Sequence, residues 1–467
     1  MAFFHALQIN ENVCEGCSHC MRVCPTEAIR VRDGKAQLNE DRCIDCGHCF
    51  IACPHKAIFV KQDDFEDIFK YKCRVALIPA VFLGQFKEDI SVSRIYAILN
   101  EIGFQHVIET EITVPVYTEA KNKLEREGNY KPLISTFCPA IVRLIQVKFP
   151  GLVDNLIPLK APLDITAIYI RKKLESEGNL PEDIGIFYVT PCAAKIAAVK
   201  SPVGEEKSSV DGVINMDSLY NIVYKKIKEQ GHDYKEVKLP IAQLTSDSIL
   251  TSLTNGERRL SVSEHSLSID GIDNAIEMLE KVENDEVENI EFIEMRACDQ
   301  SCPGGILTYN NRFLTCERMF ARARYVAGKE RRGEMTRAQE VEDERQYLLD
   351  NIQVGEIEAR SISLDPDIGK ALEKMNKIKE LQRQLPQIDC GMCGAPSCDA
   401  LAEDIVCKGC KLTDCIFIQR NMESKKTIKV EESLKIMENI WGNDKIQNFV
   451  KKQITMIHNF VDHLKSE

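Results

Sequence analysis

The residues of this chain best suited to chemistry are cysteines set beside prolines and glycines. The stretch Glu294-Met295-Arg296-Ala297-Cys298-Asp299-Gln300-Ser301-Cys302-Pro303-Gly304-Gly305 places two thiols four residues apart, followed at once by Pro-Gly-Gly. Thiols at i and i+4 share one face of a helical turn or bracket a tight loop. The glycines allow backbone to approach whatever the thiolates hold. Two ligands do not complete a site, because zinc and cubane clusters take four. Two further candidates lie upstream: Cys138 in Ser135-Thr136-Phe137-Cys138-Pro139, and Cys192 in Thr190-Pro191-Cys192-Ala193-Ala194-Lys195. Taken singly, each is as readily a small buried hydrophobe as a ligand. Three proline-flanked segments together point to Cys138, Cys192, Cys298 and Cys302 meeting at one buried site.

Two runs near the start have tighter spacing. Cys14, Cys17, Cys20, Cys24-Pro25 and Cys43, Cys46, Cys49, Cys53-Pro54 both read C-x2-C-x2-C-x3-C-P, and the second begins 29 residues (43 − 14) after the first. This is the bacterial two-cluster ferredoxin run, in which the fourth cysteine of each run serves the other cluster. One [4Fe–4S] cluster is therefore expected on Cys14, Cys17, Cys20 and Cys53, and the other on Cys43, Cys46, Cys49 and Cys24. Zinc is the rival occupant. A last group, Cys390, Cys393, Cys398 and Cys415, is spaced C-x2-C-x4-C-x16-C, with Cys407 and Cys410 inside its return. Four of these six suffice for a further cubane, and spacing does not choose among them. Cys73 and Cys316 belong to no group.

Positioning these residues requires a regular scaffold. Val75–Phe82, Ile184–Val189 and Ile290–Ile293 are short apolar runs of strand length, and helical patterns at 141–145 and 219–223 lie between them. Asp217 and Ser218 are placed to cap the second helix. Strands alternating with helices predict an α/β domain with a buried, largely parallel sheet. Cys192 and Cys298 then follow strands, where such sheets carry ligand sites. Charged, cysteine-free sequence from about Glu317 to Pro386 reads as solvated helix and linker. In 421–467, Ile436, Ile440, Phe449, Ile454, Ile457, Phe460 and Val461 recur at helical spacing, an amphipathic tail that packs on its own chain or on a second copy.

The chain has 467 residues, enough for about two to four domains. No stretch reaches the ~20 apolar residues of a membrane span, and the first residues lack the charged and apolar regions of a signal peptide. A cytoplasmic protein is expected. A net charge of −12 argues against nucleic acid as partner. Twenty cysteines in a reducing compartment favour metal clusters over disulfides.

Over about residues 75–325 the sequence resembles the [FeFe]-hydrogenases, in their modular form. The family's Thr-Ser-Cys-Cys-Pro signature stands as Ser135-Thr136-Phe137-Cys138-Pro139, Met-Pro-Cys-x-x-Lys as Thr190–Lys195, and Glu-x-Met-Ala-Cys-x3-Cys as Glu294–Cys302. The resemblance implies an H-cluster: a [4Fe–4S] cubane bridged to a two-iron unit carrying CO, CN⁻ and a dithiolate amine. By position, Cys138, Cys192 and Cys298 hold the cubane and Cys302 is the bridging ligand. Lys195 matches the lysine that donates to a cyanide, and Pro79 matches a proline of the pocket wall. Thr190 and Arg296 stand where the family has methionines around this group. The C-terminal cysteine group resembles the small Fe–S domain of corrinoid proteins.

The implied organisation is multidomain α+β and α/β: a ferredoxin-like two-cluster domain (1–62), a hydrogenase-type α/β domain (70–325), a charged helical linker (326–385), a four-cysteine Fe–S domain (386–420) and a helical tail (421–467). The implied activity interconverts H2 with protons and electrons, which pass through the clusters to a ferredoxin or other redox protein. The family's proton path is interrupted. Phe137 replaces its relay cysteine, Ile157 its serine, and Pro115, Val116 and Tyr117 fall where its glutamates are expected, leaving Glu119 as the substitute. A second reading follows: a hydrogen sensor or electron-transfer subunit whose four cysteines hold a cubane only.

The crossover of the ferredoxin runs has a direct check. Cys24→Ala should degrade the cluster on Cys43, Cys46 and Cys49, and Cys53→Ala the one on Cys14, Cys17 and Cys20. Cluster-resolved EPR showing each variant losing its own run's cluster would exclude the assignment.

Overall fold

In the computed structural model the described residues are 3–128, 132–231, 244–334, 339–360 and 364–448. They form two compact units. The first comprises residues 1–6, 44–47 and 60–360, and the second 7–43, 48–59 and 361–467.

The first unit contains two parallel sheets. In one, the strand Cys73–Ile78 lies between His106–Glu109 and Ile184–Thr190, and Gly212–Asn215 forms the outer neighbour of Ile184–Thr190. In the other, Phe292–Arg296 lies between Ser266–Asp270 and Leu133–Ile134. All seven residues of Ile184–Thr190 are buried, the mark of a central parallel strand. The first apolar run ends as strand at Ile78; Pro79 caps the short helix Ala80–Gly84. The third strand begins two residues later than its apolar run. The expected cap pair is displaced, because the helix Met216–Gln230 begins after Asn215 and Asp217 lies in its first turn.

These strands run into the candidate ligands. Leu133–Ile134, Ile184–Thr190 and Phe292–Arg296 are each followed within four residues by Cys138, Cys192 or Cys298. Cys138 caps the helix Pro139–Lys148, and Cys192 caps Ala193–Lys200. Both thiols therefore sit at helix N-termini, where the macrodipole favours negative charge. The helix after Cys138 is anchored by Arg143, whose Nη1 lies 2.5 Å from Oδ2 of the buried Asp45. Asp45 also accepts from His5 Nδ1 at 2.8 Å and from the Ala6 amide at 3.0 Å.

The second unit joins the two-run module to the C-terminal cysteine group. The 29-residue repeat reappears in the backbone: Gly16 and Asp45, and Glu27 and Lys56, occupy matching left-handed positions. The antiparallel pair Ile29–Arg32 and Lys35–Leu38 receives the C-terminal part. Asp404, 1% exposed on the helix Cys398–Cys407, accepts from Arg30 Nε at 2.6 Å and Arg32 Nη2 at 2.8 Å. The Val31 amide donates to Gly394 O at 2.8 Å, and Arg42 pairs with Glu403.

The stretch expected as solvated linker is divided between the units. Leu348 and Ile352 are buried in the first, whereas Ile378, Leu381 and Leu385 pack on the C-terminal cysteine core. Its apolar residues, sparse among charges, are enough to dock it. Within the tail, the helix Val430–Trp441 buries Ile440 against its own chain, and Gly34 N donates to Ile440 O at 3.1 Å. Phe449, Ile454, Ile457, Phe460 and Val461 lie outside the described residues.

Asp404→Ala would strand two guanidinium groups without their buried carboxylate, a change that costs about 3–5 kcal/mol. The urea midpoint of the second unit should fall accordingly, and an unfolding free energy within ~0.5 kcal/mol of wild type would show that the clamp contributes little.

Candidate metal centre

The loop between Cys298 and Cys302 is a tight turn rather than a helical one. Gln300 and Ser301 adopt left-handed φ values of 62° and 56°, and a single 3-10 turn, Cys302–Gly304, follows. Non-glycine residues hold such conformations only where the surroundings enforce them. Here the Cys302 amide donates to Ser252 O at 3.3 Å, and Ser301 Oγ donates to Asp270 Oδ1 at 3.0 Å. The following glycines serve neighbouring backbone. A Cβ on Gly304 would lie 1.9 Å from Asp299 O, and one on Gly305 would lie 2.4 Å from Pro191 O. Gly305 thus lets the Cys302 loop pack against the Pro191-Cys192 loop, and Leu307 N donates to Pro191 O at 2.9 Å.

The four thiols are near neighbours. Burial pushes Cys192 up to about 12, with Cys302 and Cys138 adding to the shift against Lys195. Burial also raises Cys298, helped by Cys192, Cys138, Cys302 and Cys46. Cys302 is raised by burial while Lys195 and Arg296 oppose the shift. Lys195 Nζ stands 4.0 Å from Cys302 Sγ. Burial would lower Lys195, but Cys302, Tyr188, Cys192 and Cys138 carry it above its ordinary value.

Beside these thiols is a cavity of about 120 Å³ whose wall includes Pro79, Phe137, Tyr188, Lys195, Glu111 and Ser252. The ring of Phe137 lies 4.7 Å from Lys195 Nζ and 4.3 Å from Arg296 Cζ. Thr190 is buried away from the cavity wall. Its hydroxyl donates to Cys192 O at 2.9 Å and accepts from the Cys192 amide at 3.3 Å, so it shapes the ligand loop. Arg296 is likewise not part of the wall; its Nη2 lies 2.6 Å from Glu257 Oε2.

Two features escaped sequence reasoning. Glu111 lies in the cavity wall, accepting from the Ala80 amide and from Ser252 Oγ at 3.0 Å; burial pushes it up to about 7. Glu257 joins Arg296, Ser135 Oγ at 2.5 Å and Tyr117 Oη at 2.7 Å. Burial works against its carboxylate, yet Arg296 and these hydroxyls hold it below the usual range, whereas burial raises Glu294. Neither glutamate belongs to a spacing motif, so only folding brings them to the site. Glu119 does not take up the relay position. It forms a surface ion pair with Arg345, since its helix turns that side chain to solvent. Ile157 is fully buried.

In the second unit, Cys14, Cys17, Cys20 and Cys53 line one small cavity, and burial with its three neighbouring thiols pushes Cys20 up to about 12. Ala28 N donates to Cys24 Sγ and Ala57 N to Cys53 Sγ, one donor per repeat. Cys390, Cys393, Cys398 and Cys415 line another cavity. Cys407 is exposed, and Cys410 Sγ accepts from Arg32 Nη2 at 3.4 Å; neither is in that lining. Cys73 is buried in its strand, and Cys316 Sγ donates weakly to Gln300 Oε1 at 3.9 Å.

The donor sets suit clusters better than single ions. Sulfurs around one zinc, each ~2.3 Å from it, stand within about 4.6 Å of one another. Among the described residues no three of these cysteines have all their sulfurs within 4.8 Å of each other. Among the described residues no cysteine forms a disulfide.

Comparison with known proteins agrees. Residues 72–259 match the family model "Iron only hydrogenase large subunit, C-terminal domain", residues 6–54 a 4Fe–4S dicluster domain, and residues 385–417 a putative Fe–S cluster domain. Iron hydrogenase 1 of Clostridium pasteurianum is 25% identical over 36% of this chain and 29% of its own length. The periplasmic [Fe] hydrogenase large subunit of Nitratidesulfovibrio vulgaris is 29% identical over 54% of this chain and 63% of its own. The chain thus matches less than two thirds of either relative's length. A solved [FeFe]-hydrogenase HydA1 from Chlamydomonas reinhardtii overlays with a TM-score of 0.46 at 14% identity, covering 64% of this chain and 97% of that one. Part of this chain is therefore similar in sequence to iron hydrogenases. A hydrogenase-type match, a 4Fe–4S dicluster match and a putative Fe–S cluster match thus fall in one chain. No helix among the described residues is long and apolar enough to cross a membrane.

Glu111 makes stability depend on pH. Its folded pKa is raised from 4.5 to about 7, so the folded state alone holds the proton between these values. Stability is full below about pH 4.5 and declines as pH rises through about 7, by up to ~3 kcal/mol at ~1.4 kcal/mol per unit. Glu111→Gln should flatten this slope in urea titrations of the metal-free protein; an unchanged slope would place the proton elsewhere.

Proposed function

We propose that the chain interconverts H2 with protons and electrons at an H-cluster-type site on Cys138, Cys192, Cys298 and Cys302. The carrying observation is the meeting of four thiols from three separate segments beside Lys195, with Cys138, Cys192 and Lys195 inside the residues that match the hydrogenase model. When bound, the two-iron unit would supply redox-active iron for the exchange of electrons with hydrogen. Cys302 is the bridging ligand. Lys195 presents its ammonium to an anionic ligand, a charge-assisted donor. Pro79, Phe137 and Tyr188 give the cavity apolar walls that limit water.

Proton handling falls to Glu111 rather than to the family's relay positions. Its carboxyl shares the cavity wall with Lys195, and burial places it near neutrality, where a general acid–base group is most effective. Electrons reach the site from the ferredoxin module. Cys46, a proposed ligand there, is near enough to Cys298 to raise it. The ligands of that module are Cys14, Cys17, Cys20 and Cys53 for one cluster, and Cys43, Cys46, Cys49 and Cys24 for the other. A further cluster sits on Cys390, Cys393, Cys398 and Cys415. The external partner is a ferredoxin-like redox protein, and cysteines without a disulfide among the described residues fit a cytoplasmic setting.

A sensing or electron-transfer role with a cubane alone is the second reading. It is favoured by Phe137 and Ile157, apolar groups at two positions of the family's proton path.

Infrared spectroscopy of the matured protein separates these. Bands of bound CO and CN⁻ are expected in the wild type, and Cys302→Ala should abolish them while a cubane EPR signal persists. Bands that survive in Cys302→Ala would remove the bridging assignment. A wild type without bands would leave the cubane-only reading.

A further inference from the structure

We propose that Phe137 is a positioning residue whose ring holds Lys195 and Arg296 as a pair of cations against the anionic group of the cysteine site. The inference rests on the H-cluster-type reading above. It joins two departures from the family pattern: the residue before Cys138 and the residue two before Cys298.

The contacts are mutual. Lys195 Nζ lies 4.7 Å and Arg296 Cζ 4.3 Å from the centroid of the same ring. A cation within about 6 Å of a ring centroid is attracted by the electron-rich face, most strongly where water is excluded. Phe137 and Arg296 are 6% and 1% exposed. They also share an anchor. The Phe137 amide donates to Ser135 Oγ at 3.2 Å, and Arg296 Nη1 approaches the same oxygen at 3.3 Å. Glu257 takes Arg296 Nη2, while Nε has no hydrogen-bond acceptor among the described residues. The ring thus lies against a buried guanidinium whose Glu257 contact leaves one N–H without an acceptor.

Lys195 needs such a support. Its ammonium ends a flexible stem, and the thiol it faces, Cys302, is 4.0 Å away. The rings of Phe137 and of Tyr188, 5.9 Å away, flank it. A thiol in place of Phe137 would offer neither cation a face. In this chain the position before Cys138 has exchanged proton transfer for electrostatic placement.

The test uses two readouts. In the matured protein, Phe137→Leu should displace the infrared CN⁻ bands in the same sense as Lys195→Met, whereas Phe137→Tyr, which keeps the ring, should leave them near wild type. In the metal-free protein, a double-mutant cycle of Phe137→Leu with Arg296→Met should show a coupling of roughly 2- to 30-fold in the unfolding constant. Phe137→Met, close in volume, replaces the leucine variant if that one does not fold. Wild-type CN⁻ bands in Phe137→Leu, or additive effects in the cycle, would overturn the proposal. If no sample shows CO or CN⁻ bands, the H-cluster reading fails, and the cycle still decides whether the ring holds the cation.

Discussion

Collecting sulfur ligands in a dry interior is the constraint on which the rest of the structure depends. Each buried thiol resists ionisation, and each neighbour deepens that resistance, as the raised values of Cys192 and Cys298 show. A metal cluster needs thiolates. The protein surrounds these thiols, the proposed ligands, with positive potential: helix N-termini at Cys138 and Cys192, the Lys195 ammonium beside Cys302, and the Arg296 guanidinium behind Phe137. The loops that carry the thiols are held by backbone and hydroxyl contacts to other strands, not by the thiols themselves.

Those cations need counter-charges, and the fold supplies them at a distance from the ligands. Arg296 is met by Glu257 and Glu294. Among the described residues Glu111 has no cation as its hydrogen-bond partner; it accepts from an amide and hydroxyls, and burial moves its pKa toward neutrality. The acid–base role proposed for Glu111 thus rests on incomplete compensation in a crowded interior.

The second unit solves a related problem by a single carboxylate. Asp404 binds Arg30 and Arg32 together and so fixes the C-terminal cysteine group on the hairpin of the two-run module. Two cluster-binding segments separated by more than three hundred residues of sequence become one folded body.

The spacing of Cys14–Cys24 and Cys43–Cys53 was legible in the sequence because cluster ligation by adjacent residues imposes a local period, and the same period returns in the backbone at Glu27 and Lys56. Apolar runs were enough to place the parallel strands that end at Cys192 and Cys298, with errors of a few residues where Pro79 and Asn215 begin helices. Glycine's role at Gly305 was visible as a need for close approach, but not its target, the Pro191 carbonyl. Tertiary structure alone decided what lies across space: Glu111 rather than Glu119 at the cavity, Glu257 on Arg296, and Cys407 and Cys410 outside the C-terminal lining. Ligand spacing and hydrophobic period are properties of neighbouring residues along the chain. The charge, burial and packing of a buried group depend on partners a hundred or more residues away, and these are set only when the sheets assemble.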